Sequence, residues 1–418
     1  MTKYVIEGGR KLCGSTNVHG SKNSALPILA ACIVCKGRNV IHNCPDLSDI
    51  DATCNILKHL GCTVSREGDT VIVDSTEVSE NSIPDNLMRE MRSSVIFLGA
   101  ILSRTGEALL SSPGGCEIGL RPIDIHLDGM EKLGAQIVSE YGHIRCSNGG
   151  GLKGTKINLS FPSVGATENI MIAAASADGI TVITNAAREP EISDLADFLN
   201  RGGARIAGAG ESTVVIEGVK SLTGAEHTVI PDRIVAASYL SAAAFTGGEI
   251  ELKSVIPAHL EPVLNVFEES GCRIDVNGRS ISLTSPGRLK SVKMIRTMPY
   301  PGFPTDIQAP VAAMLTKAKG TSIIVETIFE SRYKYIGELM RFGANINVDG
   351  RMAVIEGVPM LHGANVVSPD LRGGMALIVA GLGAEGTTVV VDDNHICRGY
   401  ETPEKVLSEL NADIKRID

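Results

Sequence analysis

The sequence predicts an α/β fold of six βαβαββ units, each of about 70 residues, grouped as two pseudo-threefold domains. Three observations predict it. The chain has 418 residues, more than one hydrophobic core usually supports, so two domains of about 200 residues are expected. A short signature also recurs six times, and a second marker recurs in step with it. The signature is Gly or Asn, a small residue, a polar residue and a β-branched one. Its copies are Gly61-Cys62-Thr63-Val64, Gly134-Ala135-Gln136-Ile137, Gly203-Ala204-Arg205-Ile206, Gly271-Cys272-Arg273-Ile274, Gly343-Ala344-Asn345-Ile346 and Asn411-Ala412-Asp413-Ile414, spaced by 68 to 73 residues. The second marker is a glycine between an apolar helical stretch and a strand: Gly37, Gly106, Gly179, Gly248, Gly320 and Gly386.

Each unit reads the same way by periodicity. In the third, an apolar helix over 168–177 stops at a glycine free to take positive φ, and a β-branched strand follows over 180–184. An amphipathic helix over 194–200 then leads to the signature glycine, which caps it. A hairpin closes the unit. In the fourth it joins 273–276 to 280–284 around Asn277-Gly278, a strong turn signal. Length favours three units per domain with the break near residue 230, before Pro231; the spacing alone also fits one six-membered ring.

Composition narrows the function. Net charge is −9 without a basic stripe, which speaks against a nucleic-acid or membrane-surface role. The longest apolar run, 25–35, contains Pro27 and is too short to span a bilayer. With no signal-peptide core at the N-terminus, the ten cysteines read as reduced, mostly buried thiols, and a cytoplasmic protein is expected.

Aligned, the units place their unusual polar residues at two matched positions. The first is the start of the apolar helix: Lys22-Asn23, Met91-Arg92, Ser163-Val164-Gly165, Pro231-Asp232-Arg233, Pro304-Thr305-Asp306 and Pro369-Asp370-Leu371-Arg372. The second is the loop after the next strand: Cys116 through Arg121, Arg188-Glu189, Ile328 through Arg332, and Cys397-Arg398. Both are strand-to-helix junctions, where exposed N–H groups and the helix dipole favour anions. A cleft lined by Lys22, Arg92, Arg121, Arg332, Arg372 and Arg398 would suit a substrate bearing phosphate and carboxylate. The plainer reading of Asp232 and Asp370 is helix capping.

The loop 112–122 differs in kind. Three glycines, two prolines and Arg121 surround Cys116, a setting that lowers a thiol pKa and leaves it reactive. Gly114, Gly115 and Gly119 would let this loop close over a bound ligand. Asp124 and His126 are expected to cap and orient the helix that follows. Cys32-Ile33-Val34-Cys35 has CxxC spacing but sits in an apolar helix and reads as core. Gly149 through Gly151 and Gly208 through Gly210 read as hairpin turns. No His cluster suggests a metal, and no Walker or dinucleotide fingerprint opens a helix.

These residues resemble the UDP-N-acetylglucosamine enolpyruvyl transferase family along essentially the whole chain. The matching stretches are Gly20-Ser21-Lys22-Asn23-Ser24-Ala25-Leu26-Pro27, Met91-Arg92-Ser93-Ser94, Pro113-Gly114-Gly115-Cys116 and Gly119-Leu120-Arg121-Pro122-Ile123-Asp124-Ile125-His126. Others are Pro162 through Asn169, Pro231-Asp232-Arg233, Tyr300 through Asp306, Asp370 through Gly374 and Arg398-Gly399-Tyr400-Glu401. The chain departs from the family pattern at Leu120, Val235 and Ala237, and lacks the Trp some members carry near Ile96. None of these removes a candidate catalytic group.

The resemblance implies an inside-out α/β barrel in each domain, with domains over 21–230 and over 231–418 plus the first 20 residues. It implies addition–elimination without metal or organic cofactor, on phosphoenolpyruvate and UDP-N-acetylglucosamine. Lys22, Arg121 and Arg398 would hold phosphoenolpyruvate, supported by Arg92 and Arg372. Asp306 would be the general base at the sugar hydroxyl. Cys116 would protonate the methylene carbon, and Asn23 joins the catalytic set. Arg121, Pro122, Ile123, Asp124, Ile125, Ser163, Val164, Gly165, Asp306 and Ile328 would line the nucleotide sugar, with Arg332 and Asp370 also at the substrate.

Overall fold

The computed structural model of the protein describes residues 1–90, 92–111 and 123–417, and of Arg92 and Ser93 the backbone alone. Cys116, Arg121 and Pro122 lie outside the described residues. The chain divides into two compact units. Among the described residues, Gly20 through Ile230 form the first, and Met1–His19 with the chain from Pro231 onward form the second.

In the first unit the helices Lys22–Ala31, Phe97–Thr105 and Val164–Ala174 pack against one another. They are apolar around nearly their whole circumference, so no face is left for water and all three sit at the centre. The helices Ser48–His59, Asp124–Lys132 and Pro190–Arg201 mix polar and apolar faces and lie further out. The second unit repeats this with Arg233–Thr246, Gln308–Leu315 and Leu371–Gly383 packed together. Helices thus occupy the place that strands hold in an ordinary α/β barrel.

Among the described residues, each unit carries three four-stranded sheets of one pattern. In the third repeat, Ile180–Thr184 runs parallel to Lys156–Asn158 and antiparallel to Thr213–Glu217, which pairs with Arg205–Ala207. The alternation of buried and exposed residues along these strands sets the register, with Ile183 opposite Val214 and beside Ile157. The chain closes each ring with a distant segment. In the first unit Glu226–Thr228 pairs in parallel with Arg38–His42. In the second, Cys13–Asn17 pairs in parallel with Glu249–Lys253.

The sixth repeat departs from the expected local hairpin. Thr2–Glu7 lies antiparallel between Thr387–Asp392 and Asp413–Ile417, taking the place of a hairpin strand. The signature positions behave as caps: Gly61, Gly134, Gly203, Gly271 and Gly343 take φ between +92° and +103°, and Asn411 takes +76°. At the fourth helix end the positive φ falls on Gly247, not Gly248. At Gly248 a Cβ would meet the Leu12 carbonyl oxygen at 2.2 Å, so close strand approach requires that glycine. The Val164–Ala174 and Pro190–Arg201 helices begin four residues earlier than periodicity suggests, because Ser163 caps one and Pro190 opens the other. Gly149 through Gly151 lie in the link between two repeats, not in a hairpin. No helix among the described residues is long and apolar enough to cross a membrane.

Candidate functional site

Lys22 is the first residue of the Lys22–Ala31 helix, with Ser21 before it in extended conformation. Its Nζ lies 3.0 Å from Asp49 Oδ2, and both residues are buried. Asp49 sits in the first turn of the Ser48–His59 helix, where the dipole favours a carboxylate. Asn23 is half-buried beside Lys22. Pro27 removes the helical N–H that would bond Asn23 O. Ser24 Oγ donates to Asp194 Oδ2, whose other oxygen lies 2.9 Å from His227 Nε2. This buried network anchors the start of the helix from within.

Ser163 caps the Val164–Ala174 helix by accepting from Ala166 N at 3.3 Å. Val164 and Gly165 follow, half-buried, and a Cβ on Gly165 would sit 3.1 Å from His126 Cε1. His126 does not cap its helix. It is buried, with Nδ1 accepting from Asn169 Nδ2 at 3.1 Å, which leaves its proton on Nε2. Burial lowers its pKa to about 4. Asn169 also donates to Val95 O at 3.0 Å and accepts from Gly99 N at 2.7 Å. One buried amide therefore joins the short Arg92–Ile96 helix, the Asp124–Lys132 helix and the helix behind Ser163. Ile123 and Ile125 pack partly on the core, and Asp124 is exposed in the first turn between them.

In the second unit, Asp306 lies in the short helix Thr305–Ile307 leading into Gln308–Leu315. Arg332 Nη2 reaches Asp306 Oδ1 at 2.7 Å and Arg372 Nη2 lies 3.7 Å from Oδ2; both arginines are only 3 % exposed. Burial works against the Arg372 charge, but Tyr400, Asp306 and Asp232 outweigh it and raise its pKa. Its guanidinium stacks over the Tyr400 ring at 5.4 Å. Arg398 ends the short helix Ile396–Arg398, half-buried. Ile328 is half-buried, its N–H donating to Glu326 Oε1 at 2.8 Å.

The capping reading holds for Asp232, which accepts from Ile234 N and Val235 N, and for Asp370 Oδ1, which accepts from Arg372 N and Gly373 N. Asp370 Oδ2 is buried with no donor among the described residues, so capping uses only half of that carboxylate.

Of the six cations expected together, Lys22 is paired with Asp49, while Arg332 and Arg372 flank Asp306. The sequence reading missed Asp49, Asn169 and Glu326. Asp49 had a signal, an acid in a helix first turn. Glu326 showed only as an acid directly after a β-branched strand.

The chain matches the model of the family described as EPSP synthase (3-phosphoshikimate 1-carboxyvinyltransferase) over residues 6–407. The chain is 56% identical over 417 residues to UDP-N-acetylglucosamine 1-carboxyvinyltransferase 2 of Caldanaerobacter subterraneus subsp. tengcongensis, covering 100% of both. It is 50% identical to UDP-N-acetylglucosamine 1-carboxyvinyltransferase 1 of Symbiobacterium thermophilum, covering 99% of this chain and 95% of that one. The chain belongs to the EPSP synthase family and, within it, to the UDP-N-acetylglucosamine 1-carboxyvinyltransferases. Its structure is similar to that of the enolpyruvyl transferase NikO from Streptomyces tendae, with a TM-score of 0.89 at 25% identity over 99% of this chain and 98% of that one. The EPSP synthase of Acinetobacter baumannii shares the fold, with a TM-score of 0.75 at 18% identity over 100% of both chains.

Proposed function

We propose that the protein transfers the enolpyruvyl group of phosphoenolpyruvate to the 3-hydroxyl of UDP-N-acetylglucosamine, releasing phosphate, as a cytoplasmic step of peptidoglycan precursor synthesis. The observation that carries the reading is full-length likeness to carboxyvinyltransferases named for this acceptor. Asp306, at a helix start between two buried guanidinium groups, supports it.

Asp306 accepts the hydroxyl proton as the sugar oxygen bonds to C2 of phosphoenolpyruvate. Cys116 delivers a proton to the methylene carbon, completing a tetrahedral adduct that still bears phosphate. Lys22, Arg121 and Arg398 hold its phosphate and carboxylate, with Arg92 and Arg372 in support; fixed cations stabilise charge that develops in the transition state. Loss of a methyl proton and departure of phosphate with its bonding pair restore the double bond. Asn23 assists at the phosphoenolpyruvate end. Arg121 through Ile125, Ser163 through Gly165, Asp306 and Ile328 line the nucleotide sugar, with Arg332 and Asp370 also at the substrate.

Phosphate release from phosphoenolpyruvate, measured with UDP-N-acetylglucosamine and separately with shikimate 3-phosphate, tests the acceptor. Release with the nucleotide sugar alone is expected. Release with shikimate 3-phosphate alone would overturn the reading.

A further inference from the structure

We propose that Glu326 is a positioning residue for the acceptor half of the reaction, holding the turn that carries Asp306 and the backbone at Ile328 in one register. The inference rests on the acceptor reading above. Glu326 directly follows the strand Thr321–Val325 and is 0 % exposed. Its Oε1 accepts from Thr297 Oγ1 at 2.9 Å, Ile328 N at 2.8 Å and Phe329 N at 3.1 Å. Its Oε2 accepts from Thr305 Oγ1 at 2.9 Å. The link continues, because Arg332 Nη2 donates to Thr305 O at 3.3 Å as well as to Asp306 Oδ1 at 2.7 Å. A single carboxylate thus ties together two segments that the acceptor reading places at the sugar nucleotide.

The residue type matters. All four donors are neutral hydroxyl or backbone N–H groups, and each hydrogen bond offsets part of the cost of burying this carboxylate. A charged acceptor makes stronger hydrogen bonds than a neutral one, and a carboxylate alone offers four acceptor sites with no donor of its own. An amide in its place would turn an NH₂ group either toward the Thr305 hydroxyl or toward the Ile328 and Phe329 N–H groups. The second orientation sets donor against donor and breaks that arm; in the first the Thr305 hydroxyl must reverse and accept, and every bond to the neutral amide is weaker than to the carboxylate. Misplacing a reacting group by about 1 Å costs on the order of 10²-fold in rate, so a partly loosened clamp is legible in kinetics.

The test compares Glu326→Gln and Thr305→Val with the wild-type protein. Thermal melts, steady-state kinetics and calorimetric binding of UDP-N-acetylglucosamine are measured on each. Thr305→Val releases only the Asp306 arm, so kcat is expected to fall about 10-fold while affinity for the nucleotide sugar stays within about twofold. Glu326→Gln puts a neutral amide in place of the charged acceptor and so weakens both arms, and a similar loss of kcat comes with roughly fivefold weaker nucleotide-sugar binding. KM for phosphoenolpyruvate stays within about twofold of wild type in both. Wild-type kcat and affinity in folded variants would overturn the proposal, as would equal losses for both substrates. If Glu326→Gln does not fold, Thr305→Val alone decides. A wild-type protein inactive with this acceptor would instead remove the acceptor reading itself.

Discussion

Asp306 Oδ1 accepts a 2.7 Å hydrogen bond from Arg332 Nη2, and the guanidinium that gives it is almost wholly buried. The pairing orients the carboxylate before any ligand arrives. It also means that Arg332, read from sequence as a cation for the substrate's anionic groups, is engaged with the proposed base.

Asp306→Asn should therefore keep the site's shape and lose its chemistry. The expected loss in kcat is at least ~10²-fold, the low end for removal of a general base. Calorimetry should still register UDP-N-acetylglucosamine binding, because the amide retains an acceptor for Arg332. Near-normal turnover would remove Asp306 from the base role.

His126 should make the protein acid-sensitive. Burial lowers its pKa from 6.5 to about 4, so the unfolded chain binds a proton that the folded chain refuses between those values. The native state is favoured above pH 6.5 and loses that advantage as pH falls toward 4. Relative to His126→Gln, the wild type should lose about 2 kcal/mol of stability between pH 7 and pH 5, read from urea denaturation. A gap between the two proteins that does not change with pH would contradict this.

Glu168 should act in the opposite direction. It is 4 % exposed, its Oε1 has no hydrogen-bond partner among the described residues, and burial together with Glu191 and Glu189 raises its pKa well above the usual carboxylate value. A raised folded pKa favours the native state at low pH and withdraws that support as pH rises past the ordinary value. Glu168→Gln should thus be neutral near pH 4.5 and more stable than wild type by about 1–3 kcal/mol at pH 7.5. Thermal melts at the two pH values give the answer, and a destabilised variant at pH 7.5 would refute it.

Cys116 should be the first thiol modified by a limiting electrophile. Burial raises the pKa of Cys35 to about 12, and of Cys54, Cys62 and Cys146 to about 11, so few thiolates compete. Cys32 and Cys272 are raised for the same reason. Cys13 is exposed and Cys397 partly so, and these are the two rivals. Limited alkylation with peptide mapping should label the Cys116 peptide first; prior labelling of Cys13 or Cys397 would displace it from the mechanism.

The repeat, its helix and strand order and its caps were legible in the sequence because each is local. A helix buried on all sides must be apolar on all sides, and a chain turning out of a helix needs the left-handed conformation that Gly61 and Asn411 adopt. The same logic put Lys22, Arg372 and Asp306 at helix starts. Tertiary structure alone decided which residues they meet. Nothing near Lys22 in sequence announces Asp49, nor does anything near Asp306 announce Arg332 or the Glu326 clamp, since these partners come from other elements. Ring closure is of the same kind. Thr2–Glu7 comes first in the chain, yet it completes the last repeat, because Thr387–Asp392 and Asp413–Ile417 would otherwise leave backbone N–H and C=O groups unpaired. Local periodicity specifies an element; pairing between distant elements is set by whichever complementary edge or charge the folded chain brings near.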